Sequence, residues 1–420
     1  MSKRVRVVWD DAIAASYNFG PSHPMSPIRV ALAIRLSRAF GLFGLPQVEL
    51  VRPSEPCTDA DLERVHTPAF IAAVRRAGLD PDAHDLGHGL GTSDVPSFLG
   101  MHEAAAGVCS MSLDAVRTVL RGEAEHAVNL AGGLHHAMPD AASGFCVYND
   151  VGVAISWLLE QGVERVAYVD IDVHHGDGVQ TMFWDDPRVL TVSIHETGLV
   201  RFPGTGFPDE IGGPAAKGSA VNVALPPGTG DNAWLRAFDA VVPPVLEAFD
   251  PQFLVSQHGC DSHADDPLAY FTLSIDGQRH SYELLHRLAH RLAGGRWVAL
   301  GGGGYSWVDV VPRAWTHLIA EMAGAPIPPS SRLLQGYVDY VAQALGRQSP
   351  RRMTDGAEPS MTSWDAGYDP DDPVDRAILE TRRAVFPHLG LDPEAPSTGY
   401  RRTGPAPDRR HPDVRRHTAD

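Results

Sequence analysis

Asp170, Asp172, His174, His175 and Asp177 fall within the eight residues D-I-D-V-H-H-G-D, directly after the apolar run Val166-Ala167-Tyr168-Val169. Carboxylates at a buried strand end must pair with cations, bind a metal or stay protonated, because an unpaired buried charge is costly. A divalent cation is the simplest solution. Asp172 and His174 are two apart, so on extended backbone both project to the same side and can ligate one ion.

Three further polar constellations begin where an apolar, β-branched run stops: Gly132-Gly133-Leu134-His135-His136, Gln257-His258-Gly259-Cys260-Asp261 and Gly301-Gly302-Gly303-Gly304-Tyr305. In open parallel α/β sheets, ligands bind outside the carboxyl ends of the strands, so four segments distant in sequence can converge on one pocket. Asp172, His174 and Asp261 would then form a three-ligand site with positions left for water and substrate, as catalytic metals require. Two carboxylates and one imidazole do not select sharply among Zn(II), Fe(II) and Mn(II). His135 and His136 are the natural proton carriers, with Asp170 and Asp177 available to orient them. Tyr305, presented by glycines, can donate its hydroxyl to a carbonyl or oxyanion. The glycine run is not a phosphate loop, since no Lys-Ser or Lys-Thr closes it. Phe145 and Phe202 lie in loops beside these motifs, where each either lines a pocket or packs its own loop. Asp94 sits in a Gly-rich loop, where lone aspartates commonly cap turns.

The elements that must position these groups alternate. Strands are predicted over 5–10, 126–130, 166–169, 189–194, 220–225, 253–256 and 297–300, with helices over 27–40, 59–65, 68–77, 98–120, 150–161, 232–249, 281–292 and 308–322. Strands that are apolar throughout indicate a parallel sheet covered on both faces, an α/β class. Residues 1–345 read as one domain. Residues 346–420 read as a Pro- and charge-rich, solvated C-terminal extension with one helix over 373–385 and a disordered final twenty-five residues.

Composition narrows the setting. Of 420 residues, 52 are acidic and 35 basic, and the net charge of -17 argues against broad nucleic-acid or anionic-membrane binding. The apolar stretch after the N-terminal Met-Ser-Lys-Arg is too short for a secretion signal, and no run approaches the roughly twenty apolar residues of a membrane span. Four cysteines without C-x-x-C spacing indicate neither a disulfide framework nor a zinc ribbon. A cytoplasmic setting is expected.

Taken together, H-P-M-S-P-I-R at 23–29, G-G-L-H-H-A at 132–137, S-G-F-C-V-Y-N-D at 143–150, D-I-D-V-H-H-G-D-G at 170–178, F-P-G-T-G at 202–206, D-S-H-A-D-D-P-L at 261–268 and G-G-G-G-Y at 301–305 resemble the metal-dependent histone deacetylase family, in particular its bacterial acetoin-utilisation, class I-like branch. The resemblance implies an arginase-deacetylase fold, a mostly parallel eight-stranded sheet between helical layers. It implies Zn2+, with Fe2+ as an alternative, on Asp172, His174 and Asp261, and K+ through Asp170, Asp172, His174 and Ser193. His136 would be general base and then acid, His135 mainly electrostatic, and Tyr305 the group that polarises the acetyl carbonyl. Phe145 and Phe202 would flank an acyl-lysine channel, with Gly144 and Gly303 also contacting substrate, Asp94 at the rim and Arg29 near an inner pocket. The implied activity is metal-dependent hydrolysis of N-acetyl amides, foremost protein acetyl-lysine. The alternatives are an acetylpolyamine or other small-molecule amidohydrolase and a non-catalytic acyl-lysine binding module. No direct nucleic-acid or membrane partner is implied.

Two positions depart from the family pattern, and a third is left without a role. Arg201 stands before Phe202, where an apolar residue would suit a channel mouth. His263 stands where the related arginases carry a second-metal Asp, and the D-x-H-x-D spacing of those enzymes is absent. His175 has no assigned role and is expected to be structural.

Overall fold

The computed structural model describes residues 4–396. Eight strands, β1 (Val5–Val8), β2 (Val48–Val51), β3 (His126–Asn129), β4 (Val166–Asp170), β5 (Val189–Glu196), β6 (Ala220–Leu225), β7 (Phe253–Gln257) and β8 (Trp297–Leu300), form one sheet in the order β2-β1-β3-β8-β7-β4-β5-β6. Every pairing is parallel. β3, β4, β7 and β8 are buried at every residue, so side chains of both pleat faces meet packed helices and the strands read as continuous apolar runs. β2 escapes the sequence pattern because it is a short edge strand whose Glu49 faces solvent and pairs with Arg6 at 3.0 Å.

The strand order sets up the site. β3, β8, β7 and β4, the strands that precede the four polar constellations, are immediate neighbours at the centre of the sheet. Their ends are in register, with Asn129 and Gln257 opposite Leu300 and Asp170 opposite Gln257. The helices Met101–Leu120, Ile28–Ala39 and Val311–Met322 cover the sheet with largely buried side chains. The helix predicted from 281 begins at Ile275, capped by the Ser274 hydroxyl; Asp276, Gly277 and Gln278 mask its first turn in sequence. Among the described residues, no helix is long and apolar enough to cross a membrane.

Residues 346–396 are not a solvated tail. Met353, Trp364, Ile378, Leu379, Val385 and Phe386 are buried in the core. The helix Pro373–Val385, placed as the sequence predicts, lies against the edge strand β6, where Thr381 Oγ1 donates to Asn222 O at 2.6 Å. Low overall hydrophobicity conceals this, because the few apolar residues are concentrated on one helix face. Arg236 clamps the segment, donating to both oxygens of buried Asp375 at 2.7 and 2.9 Å and lying over the Trp364 ring. Breaking a buried pair leaves one charge uncompensated. Asp375→Ala is therefore expected to lower the free energy of unfolding by about 3 kcal/mol in urea titration, and an unchanged midpoint would refute the clamp. The disorder expected of the final twenty-five residues falls almost wholly outside the described residues.

Candidate functional site

Asp172 and His174 leave the end of β4, and Asp261 follows β7. All three are buried, and one ligand atom from each lies within 4.8 Å of the others. His174 Nδ1 is 3.1 Å from Asp172 Oδ1 and 3.1 Å from Asp261 Oδ2. The carboxylates are held from behind. Asp172 Oδ2 accepts from Gln257 Nε2 at 2.7 Å and Gly303 N at 2.8 Å, and Asp261 Oδ1 accepts from Val173 N at 3.0 Å. A side chain at Gly303 would collide with the Asp261 carboxylate and stand 2.8 Å from Asp172 Oδ2, so glycine is required there by close approach.

Electrostatics point to a cation. Burial opposes charge on His174, but the Asp172 and Asp261 carboxylates outweigh it and raise its pKa to about 10. Burial, then the Asp172 charge, pushes Asp261 up to about 7. Two buried carboxylates competing for one proton and one imidazole form a donor set that a divalent cation satisfies better, since it neutralises both charges and takes the Nδ1 lone pair. The residues present fit such an ion.

His135 and His136 arrive on the loop after β3. His135 Nδ1 donates to Asp170 Oδ2 at 2.7 Å and His136 Nδ1 to Asp177 Oδ1 at 2.7 Å. Each Nδ1–H is thereby committed, and the two Nε2 atoms lie 3.0 Å apart. Burial disfavours charge on both rings, yet Asp170 and Asp172 raise His135 to about 9, whereas burial and the neighbouring His135 charge lower His136. His136 is thus the less basic ring of the two. It stands edge-on to His174 at 5.9 Å and to Phe202 at 5.0 Å between ring centroids.

The aromatic residues are drawn to the same region. Tyr305 is buried, with its ring edge-on to Phe145 at 5.6 Å and its backbone N–H donated to Asp266 Oδ2 at 2.7 Å. Phe202 is 45% exposed, so it borders solvent and His136 at once. Phe145 adopts φ 65°, a left-handed conformation that costs a side-chain-bearing residue about 1 kcal/mol or more. Tyr17 holds that turn, its hydroxyl donating to Phe145 O at 2.8 Å and accepting from Val147 N at 3.0 Å. Asp94 Oδ2 accepts from Gly144 N at 2.7 Å, which ties its loop to the same turn. A Cβ at Gly144 would overlap the His136 ring. Arg29 is buried behind the glycine run, donating to Gly302 O at 2.7 Å and lying over Trp315. Ser193 lies opposite Asp170 in register, with its hydroxyl 2.8 Å from His195 Nδ1.

The departures resolve into structural roles. Arg201 is held by Glu196 at 3.0 Å, Leu268 O at 2.7 Å and the face of Tyr270. His263 points to Asp355 at 2.9 Å, away from the three-ligand cluster. His175 is held by Thr205 and Gln180 and kept neutral by burial, which lowers its pKa to about 3. Sequence reasoning misses Asp150. Buried at the start of a helix, it accepts from Gly133 N at 3.0 Å, Leu134 N at 2.8 Å and Ser112 Oγ at 2.5 Å, and so fixes the loop that carries both histidines. It closes the S-G-F-C-V-Y-N-D motif, but as Asn149-Asp150 at a helix start it reads as an ordinary cap.

Comparison with known proteins gives the family. The family model of the histone deacetylase domain matches residues 23–322. The acetoin utilization protein AcuC of Bacillus subtilis (strain 168) is 42% identical over 320 residues, 75% of this chain and 82% of that one. The protein of the same name from Staphylococcus xylosus is 35% identical over 317 residues, 75% of this chain and 82% of that one. The crystal structure of an HDAC homolog complexed with SAHA superposes with a TM-score of 0.76 at 27% identity, over 91% of this chain and all of that one. An eight-stranded parallel sheet, histidines and carboxylates gathered at its central strand ends, and a family match spanning most of the residues between them lead to one conclusion: the chain belongs to the histone deacetylase family.

Proposed function

We propose that this chain is a lysine deacetylase that hydrolyses N-acetyl-lysine in proteins. The observation that carries the reading is the meeting of two His–Asp pairs beside the buried Asp172, His174 and Asp261 cluster, with Tyr305 in the adjoining aromatic region. Asp172, His174 Nδ1 and Asp261 would hold a divalent cation, Zn2+ or Fe2+. When bound, it supplies Lewis acidity to the amide carbonyl and acidity to a water. We assign a potassium ion to Asp170, Asp172, His174 and Ser193.

The protein groups then divide the work. His136, with its Nδ1–H committed to Asp177, presents Nε2 as the base that takes a proton from the attacking water and later delivers it to the departing amine nitrogen. His135, kept charged by Asp170, stabilises negative charge on the former carbonyl oxygen. Tyr305 donates its hydroxyl to that oxygen; burial raises its pKa well above the ordinary value and so keeps it a donor. Phe145 and Phe202 flank the lysine methylenes, Gly144 and Gly303 line their path, and Asp94 holds the backbone at the rim through the Gly144 turn. Arg29 would serve a small inner pocket that it lines with Tyr17 and Met25. The net charge of -17 and the absence of a membrane-crossing helix among the described residues are in keeping with a cytoplasmic protein substrate.

The test compares turnover of an acetyl-lysine peptide with that of acetylspermidine, with and without chelator. Preference for the peptide and loss with chelator are expected. Preference for acetylspermidine would identify a small-molecule amidohydrolase, and no acetate release with zinc, iron or cobalt would overturn the reading. Tyr305→Phe should lower kcat on the preferred substrate by about 10²-fold, the scale of one oxyanion donor.

A further inference from the structure

We propose a second metal site, at the opposite end of the strands, formed by His126, His286 and His290 and selective for a borderline divalent ion of the Zn2+ or Co2+ class. It is independent of the proposed deacetylase reading. His126 is the first residue of β3, in register with Trp297, the first of β8, whereas the cluster described above follows the last residues of β4 and β7. His286 and His290 lie four apart on the helix Ile275–Leu292 and therefore share a face.

The geometry is that of a metal triad slightly open. One nitrogen from each of the three rings lies within 4.8 Å of the others. His286 Nε2 and His290 Nε2 are 3.1 Å apart, close to the roughly 3.3 Å separating two nitrogens on a tetrahedral zinc with bonds near 2.0–2.1 Å. The His126 ring stands 5.0 Å from each of the other two and nearly perpendicular to both. The His126 ring, wholly buried, also packs edge-on against Trp297 at 5.5 Å, which holds it converging on the His286 and His290 pair.

The decisive feature is behind the ligands. Glu321 Oε1 accepts from His286 Nδ1 at 2.9 Å. This fixes the tautomer that leaves a lone pair on Nε2, the nitrogen aimed at His290, in the carboxylate–histidine–metal arrangement. Trp297 stacks on His286 and closes the floor. His290 is only partly buried, which gives the ion an entry path and a position for water. Three imidazoles with no thiolate or directly placed carboxylate favour zinc-like ions over magnesium or calcium. Such an ion would staple β3 to the helix Ile275–Leu292 and, through Glu321, to the helix Val311–Met322.

The test measures metal content of the untagged full chain after loading with Zn2+ or Co2+ and gel filtration. Two equivalents are expected, one lost in His290→Asn and the other in Asp261→Ala, with zinc raising the thermal midpoint of Asp261→Ala but not of the double variant. Metal content that His290→Asn leaves unchanged would overturn the proposal, whereas a single parent equivalent lost in His290→Asn and kept in Asp261→Ala would uphold it and count against the strand-end site. If His290→Asn does not fold by circular dichroism, Glu321→Gln decides. It should weaken the second equivalent by about 10-fold or more, and unchanged affinity would count against the site.

Discussion

The Asp261→Ala chain is expected to lose the strand-end metal and to turn over acetylated peptide roughly 10³-fold more slowly than the parent, or not measurably. Asp261 places one oxygen 3.1 Å from His174 Nδ1 and accepts the Val173 N–H with the other, so its removal would delete a proposed ligand and loosen the turn that presents the other two. The magnitude follows from the several kcal/mol that a Lewis acid contributes, at about 1.4 kcal/mol per tenfold in rate. Dialysis of the parent against chelator should reproduce the loss, and re-addition of zinc or cobalt should restore the parent but not the variant. A variant that keeps both its ion and its turnover would remove Asp261 from the ligand set.

His136→Ala is expected to retain the strand-end metal and still lose about 10²–10⁴-fold in kcat, the range for a positioned general acid–base group. This combination separates proton transfer from metal binding. Asp177→Asn should fall in the same direction, because its amide N–H can donate to His136 Nδ1 and so permit the wrong tautomer. His135→Ala should cost less than His136→Ala, since His135, raised to about 9 beside Asp170, acts through its charge. Equal losses at the two positions would reverse or merge these roles, and metal loss in His136→Ala would return the residue to a structural part.

Much of the site is legible in the sequence because its chemistry is concentrated in short segments. Asp172, His174 and Asp170 come from one strand end, and a dense run of ionisable groups after Val166–Val169 has few physical explanations. Asp150 and Tyr17 are illegible there for the opposite reason. Each is a single polar residue in an ordinary context, and its effect is visible only through partners distant in sequence, Asp150 on the loop at 133–134 and Tyr17 on the turn at 145–147. The segment 346–396 reads as a solvated tail because composition averages over a helix, whereas burial depends on which face holds Ile378, Leu379 and Val385.

The sequence by itself determined a covered parallel sheet, the residue types able to hold a metal and move protons, and the strand ends on which they sit. Apolar strand runs and clustered ionisable groups are local properties. Only the tertiary structure decided that β3, β8, β7 and β4 are neighbours with aligned ends, which brings Asp261 to His174 and each histidine to its carboxylate. It also held Arg201 and His263 in ion pairs and gathered His126, His286, His290 and Glu321 at the opposite end of the strands. Parallel strands are joined by long crossovers, so which strands pair is set by packing across the whole sheet and cannot be read from spacing along the chain.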